Sequence, residues 1–358
     1  MRLRVVLLLT ILLGPFSLID SAKARSSRPD CSQHRPNGCD AITSTALALE
    51  FVRPIGAVSG ATGANEVQAN ALWAPPTGAH DLFYGPWGAR SQPDPHAVYT
   101  FVRRKQKGTN PGMVVRDPQG REWHVKQTHT NGSHPEGPVE VVVSRVLSAV
   151  GYRQPPIYYL PSFRLADGKG THVEPGGRFR VDDPSLRNVG NWSWDDPTVK
   201  GSRPYNGLLV ILLAFASWDL KESNNYIYQV HNNGRVESWY VVRDLGAAFG
   251  SEGTMRATRN DIGKFEQQGF IRGVSNGYVE FEYGGKRQDL YRHRITVDDV
   301  RWAMSLLSSL DARQWREAFR AGGYPSDLSD QFIRKIQANI RDGQQLASNP
   351  RTVANMKR

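Results

Sequence analysis

The sequence predicts a mixed α+β fold, strand-rich at first and mainly helical towards its end. Three patterns point to it. Between Val98 and Gln127, short β-prone runs are broken by turn residues. Residues 138–150 carry apolar side chains at helical spacing and stop at Gly151. From Thr296 onwards, three apolar stripes of helical period follow one another.

Taken in order, Val98–Arg103 reads as a strand, and Met113–Arg116 and Glu122–Gln127 as a hairpin about Asp117-Pro118-Gln119-Gly120. Lys126 lies on the second of these strands. Ahead of the hairpin, Lys107-Gly108-Thr109-Asn110-Pro111-Gly112 is rich enough in glycine to fold backbone N–H groups over a phosphate, with Gly108 and Gly112 as its pivots. It is not a G-x-G-x-x-G run, and an ordinary strand connection is an equal reading. Pro138–Val150 is a helix of poor helix formers, so burial must hold it. Glu140 shares a face with Val143 and Leu147, where a carboxylate needs a cation; Lys126 is the natural partner, with Glu136 the other candidate acid. A carboxylate that merely complements the helix dipole is the plainer reading.

Ile157–Leu160 is an apolar strand. Residues 164–205 read as a polar, turn-rich insertion at the mouth of a cleft, with Trp192 and Trp194 in it and Arg178 and Arg180 as solvated arginines. Asn206–Trp218 is a buried helix. Tyr226–Val230 and Val236–Val242 are strands joined by the turn His231-Asn232-Asn233-Gly234. Residues 247–290 are glycine-rich and basic. Thr296 opens one terminal helix, and Asp311–Phe319 and Ser329–Gln345 are two more; 346–358 is a basic tail.

Bulk properties narrow the context. Residues 1–24 have the basic start (Arg2, Arg4), the short apolar run (Val5–Leu13) and the Ala22-Lys23-Ala24 cleavage pattern of a secretory signal peptide. Secretion, or residence in the periplasm or cell envelope, is the expectation, with no membrane span in the mature chain. Residues 25–97 form an N-terminal extension in which Cys31 and Cys39 can close a small disulfide loop. The aromatic, proline-rich stretch Leu72–Pro95 is expected to wrap over the first part of the fold. The net charge of +11 favours an anionic partner such as a nucleotide. The basic residues are spread along the chain with no recognised motif, which argues against nucleic acid.

Two motifs carry the chemistry. Trp218-Asp219-Leu220-Lys221-Glu222-Ser223-Asn224-Asn225 contains D-L-K-x-x-N, and Arg243-Asp244-Leu245-Gly246 ends an apolar strand. The hairpin between them would bring Asn224 beside Asp244. Phosphoryl transfer is handled by positioning and charge neutralisation, which needs these residue types: a carboxylate to orient the attacking hydroxyl, and a carboxamide and second carboxylate to grip a cation on the phosphates.

In this order and spacing the pair resembles the catalytic loop and metal-binding turn of the protein-kinase-like superfamily, especially its atypical members: HipA-type, phosphoinositide-kinase-like, CotH and Golgi secretory-pathway kinases. Trp218 stands where His-Arg is usual and Leu245 where Phe is usual. The resemblance covers about 98 to 345 and implies a two-lobed fold, with an N-lobe over 98–163 and a mainly helical C-lobe over 164–345. It implies ATP with Mg2+ or Mn2+, Asp219 and Lys221 as catalytic residues, Asn224 and Asp244 as metal ligands, Asn225 as a stand-in for Asn224, and Lys126 holding phosphate with Glu140 fixing it. The strand at Ile157–Leu160 would lead to the hinge and the adenine. The acceptor would be a protein or glycan hydroxyl.

Two rivals stay open. One is a pseudokinase that binds without turnover. The other is an envelope polysaccharide-binding protein presenting Trp73, Trp87, Trp192, Trp194 and Trp239 as a platform.

Overall fold

The structure is a computed structural model, and it describes residues 68–77, 81–106, 110–127, 134–232, 234–253 and 257–346. The signal segment, the Cys31–Cys39 loop, Gly108 and the tail beyond Leu346 lie outside the described residues.

Five strands close a small barrel in the order β1-β2-β3-β5-β4. They are β1 (Val98–Arg104), β2 (Gly112–Arg116), β3 (Glu122–Gln127), β4 (Ile157–Asp167) and β5 (Gly170–Val181). All pairings are antiparallel except β1 with β4. Inward-facing residues fill the barrel, among them Tyr99, Trp123, Phe163 and Phe179, whose rings meet edge to face or tilted. Helix α1 (Glu136–Ala149) sits between β3 and β4 in sequence. Its valines are fully buried, so packing supplies what their propensity withholds.

The reading of 164–205 as one insertion is corrected. Its first half, through Val181, is the rest of β4 and all of β5. The two pair from Ile157↔Arg180 out to Asp167↔Gly170. The outer part of this hairpin projects into solvent, with Thr171 to Val173 exposed. A strand wet on both faces loses the alternation that would reveal it. The strand-rich part therefore runs to Val181, and the chain crosses to the second part after β5, not after Ile157–Leu160. Trp192 and Trp194 do not line a cleft mouth. They are core residues whose indole N–H groups donate to the Val241 and Leu220 carbonyls. With Trp73 buried as well, these three cannot belong to an exposed platform.

The second part is mainly helical. Helix α2 (Arg203–Ala214) starts at the Ser202 cap with Pro204 in its first turn, and ends before Ala216, whose φ is 52°. This is earlier at both ends than the expected Asn206–Trp218. A three-stranded sheet flanks α2 in sequence, with β6 (Leu186–Gly190) before it and β7 (Asn225–Asn232) and β8 (Arg235–Val242) after it, in the order β6-β7-β8. Asn233 in the β7–β8 turn lies outside the described residues. Within 247–290 the chain forms α3 (Ile262–Gln267) and the hairpin β9 (Ile271–Ser275)–β10 (Tyr278–Phe281). Helices α4 (Val297–Ser308), α5 (Ala312–Ala321) and α6 (Ser326–Gln344) complete the fold; α4 and α5 open with capping boxes at Thr296 and Asp311. Leu72, Trp73 and Leu82 of the aromatic stretch pack into the large core that α1, α2 and α4–α6 share.

Candidate active site

Three backbone links bring the two motifs together. The β7–β8 ladder pairs Asn225 with Val242; beyond it the Arg243 N–H donates to the Asn224 carbonyl at 2.8 Å, and the Trp218 N–H to the Ala247 carbonyl at 3.1 Å. The expected hairpin therefore sets Asn224 next to the Asp244 turn. Asp244 itself has φ 55°, a left-handed conformation that a non-glycine residue keeps only when its surroundings hold it, and such strain concentrates at functional positions.

The loop that carries Asp219 is tightly fixed. Asp219 Oδ2 accepts from Lys221 Nζ at 2.7 Å and from Asn224 Nδ2 at 3.2 Å, and the same Asn224 amide reaches the Asp219 carbonyl at 3.1 Å. Trp218, in the unusual lead-in position, anchors the loop. Its indole N–H donates to the Thr258 carbonyl at 2.9 Å, and the Arg259 guanidinium lies over its ring. Asn225, the stand-in for Asn224, is fully buried and does not line the cleft.

Lys126 lies at the centre of the acid cluster. Its Nζ is 2.9 Å from Glu136 Oε2, 3.3 Å from Asp244 Oδ1 and 3.4 Å from Glu140 Oε2. Both acids weighed as its helix partner thus reach it, and Glu136 is the nearer. Glu140 is shared with Arg178, whose Nε is 3.1 Å from Glu140 Oε1, in an ion pair aligned too poorly to count as a hydrogen bond. Glu136 also accepts from Asn110 Nδ2 at 2.6 Å and pairs with Arg259. Gly246 lets these parts meet: a Cβ there would come within 2.8 Å of the Glu136 backbone. Gly112 answers a similar need on β2, where a Cβ would meet the Val125 carbonyl at 2.5 Å, so close strand packing already accounts for it.

One cleft of about 1040 Å3 is lined by Lys126, Asp219, Lys221, Asn224 and Asp244, with Glu136 on its wall and Glu140 behind. Among the described residues that line it, basic side chains outnumber acidic ones three to one. The field shows in the titrations. Burial pushes the Asp244 carboxyl up, but Lys126, then Arg178 and Arg180, outweigh it and hold the group below its ordinary value. Burial and the Lys126 charge together push the Lys105 ammonium down.

The arginines are what sequence reasoning missed. Arg178 is 4% exposed and Arg180 half-buried, not solvated, and Arg243 and Arg259 also line the cleft. The R-F-R run on β5 held the signal, since residues two apart on a strand share a face.

For a divalent cation the donors nearest to hand are the Asp244 and Asp219 carboxylates and the Asn224 amide oxygen. Among the described residues no group of three or more His, Cys, Asp or Glu is gathered for a metal. Hard oxygen donors in this number fit Mg2+ or Mn2+ held jointly with phosphate oxygens and water, not a closed protein cage.

No protein-family model matches the chain, and no curated protein matches it. Among solved structures it is similar to the crystal structure of the Helicobacter pylori proinflammatory kinase CtkA, at 9% identity and a TM-score of 0.41, over 69% of this chain and 95% of that one.

Proposed function

We propose that the chain is a kinase-like phosphotransferase that moves the γ-phosphoryl group of ATP to a hydroxyl acceptor, protein or glycan, outside the cytoplasm. The observation that carries this reading is the single cleft onto which β3, the Asp219 loop and the Asp244 turn all deliver their side chains. The signal-peptide pattern at residues 1–24 supports the location.

In this reading the Lys126 ammonium steadies phosphate oxygens, and Glu136 and Glu140 fix its position. Asp219 accepts the hydrogen bond of the acceptor hydroxyl and aims its oxygen at the phosphorus. The Asn224 amide N–H, on Asp219 Oδ2, keeps that carboxylate turned to the cleft. Lys221, paired with the same oxygen, is placed to follow charge onto the phosphoryl group. Asp244 and the Asn224 side-chain amide oxygen, Oδ1, would hold the divalent cation, which would supply charge neutralisation on the transferred group. Since Trp218 is bonded into the loop through its backbone and its indole, its presence is compatible with an ordered catalytic loop.

The test is γ-phosphoryl release or transfer from labelled ATP with Mn2+. Asp219→Asn is expected to keep ATP affinity within about threefold and to lower turnover by about a hundredfold or more. Wild-type protein that binds ATP without any turnover is the pseudokinase, and overturns the enzymatic part of the proposal.

A further inference from the structure

We propose that Arg180 and Arg243 form a second oxyanion subsite in the same cleft, beside the Lys126–Asp244 grip and separate from it, that takes a phosphate group carried by the acceptor. The word acceptor rests on the phosphotransferase reading; the subsite rests on the geometry alone.

The β3–β5 register pairs Lys126 with Arg178 and His124 with Arg180. Arg180 therefore lies one row along, about 7 Å down the strand from the Lys126–Arg178 row, towards the crossover after Val181. There the main cleft meets a neighbouring cavity of about 360 Å3, and His124, Arg180 and Arg243 line both.

The charges at this junction are unbalanced. Among the described residues the Arg180 side chain has no hydrogen bond and no ion pair, although the residue is half-buried. Arg243 is fixed in place without a carboxylate: its Nη1 donates to the Tyr228 hydroxyl at 2.7 Å, and its guanidinium lies over the Tyr226 ring at 4.1 Å. Behind them, Arg178 has a buried Nη1 with no partner. The nearby acids are engaged elsewhere, Glu140 by Arg178 and Lys126, Asp244 by Lys126. Two further acids line the neighbouring cavity: Asp182 reaches no closer than 3.9 Å to His124, with its side chain 65% exposed, and Asp183 accepts from the Ser185 N–H and hydroxyl. Burial, and then the neighbouring cations, push both His124 and Arg180 below their ordinary values, so the histidine adds no charge at neutral pH.

Guanidinium groups withdrawn from water without an anion are costly, and a phosphate satisfies several of their N–H groups at once. A metal-bound triphosphate on Lys126 and Asp244 would leave this row unanswered. Arg243 directly precedes Asp244 and its N–H is bonded to Asn224, so the subsite borders the loop where the acceptor hydroxyl would sit.

The experiment is calorimetric titration of the protein with inorganic phosphate and with pyrophosphate, each with and without saturating ATP and Mn2+. Both anions are expected to bind in the presence of the nucleotide. Arg180→Gln and Arg243→Gln should each weaken that binding about tenfold and leave ATP affinity within about threefold, with Arg180→Lys retaining part of it. Unchanged melting temperatures show that the variants are folded. Displacement of phosphate by ATP, an equal loss of both ligands in Arg180→Gln, or phosphate binding unaffected by either variant overturns the subsite. Arginine-dependent phosphate binding in a protein that does not bind ATP upholds the subsite and overturns the phosphotransferase reading.

Discussion

Glu140 serves two cations at once, and that decides what its loss would do. Lys126 keeps Glu136 and Asp244 if Glu140 is removed, whereas Arg178 is left buried without its only ion-pair partner among the described residues. Glu140→Ala is therefore expected to cost about 3 kcal/mol in denaturant unfolding, with much of the loss recovered when Arg178→Met is added. A loss below about 1 kcal/mol would show that the pair is solvated. Glu252 offers a pH-dependent test. Burial pushes its carboxyl up to about 9, and its Oε2 has no hydrogen-bond partner among the described residues. A carboxyl whose folded value exceeds its unfolded one destabilises the fold above the unfolded value. Glu252→Gln should therefore stabilise the protein by about 2 kcal/mol at neutral pH. The gain should vanish as the pH falls to the ordinary glutamate value of 4.5. A gain that persists at low pH contradicts the assignment. At this scale the sequence was informative where spacing is local. Lys126, Asp219, Asn224 and Asp244 fall in short motifs; the R-F-R run says that Arg178 and Arg180 share a face, but not that this face, opposite Phe179 and outside the barrel, lines the cleft.

Elements were legible in proportion to their regularity. The β7–β8 hairpin was read within a residue or two, and it places Asn224 by the Asp244 turn because register follows from the turn. The terminal helices were legible from their caps and stripes. The outer β4–β5 hairpin was not, since its solvated half carries no alternation, and α2 was placed too late because its start rests on the single cap at Ser202. The contact between α1 and the Asp244 turn is the junction most exposed to a small change. Gly246→Ala would drive a methyl group into the Glu136 backbone and part Lys126 from Asp244. The expected result is a loss of about 2 kcal/mol in stability with at least a tenfold loss of nucleotide affinity. Unaltered affinity would mean that the turn and the helix move independently.

For the molecule as a whole, the α+β order, strands and one helix before a helical end, was predictable from periodicity. What periodicity cannot supply is closure. The barrel depends on β1 pairing with β4 in parallel and on β3 reaching β5, contacts between strands far apart in the chain. The same holds for the cleft, whose positive field comes from side chains on β3, β5, the Asp219 loop and the Asp244 turn, and which the evenly spread charge of the sequence only hinted at. The central claim is that Lys126, the Asp219 loop and Asp244 grip one metal-bound polyphosphate, and calorimetric titration of the purified protein with ATP in the presence of Mn2+ tests it most directly. The account predicts one site per chain, lost on chelation of the metal and weakened at least about a hundredfold in Asp244→Ala. Binding by wild type that survives Asp244→Ala, or no binding by folded wild type at all, would contradict it.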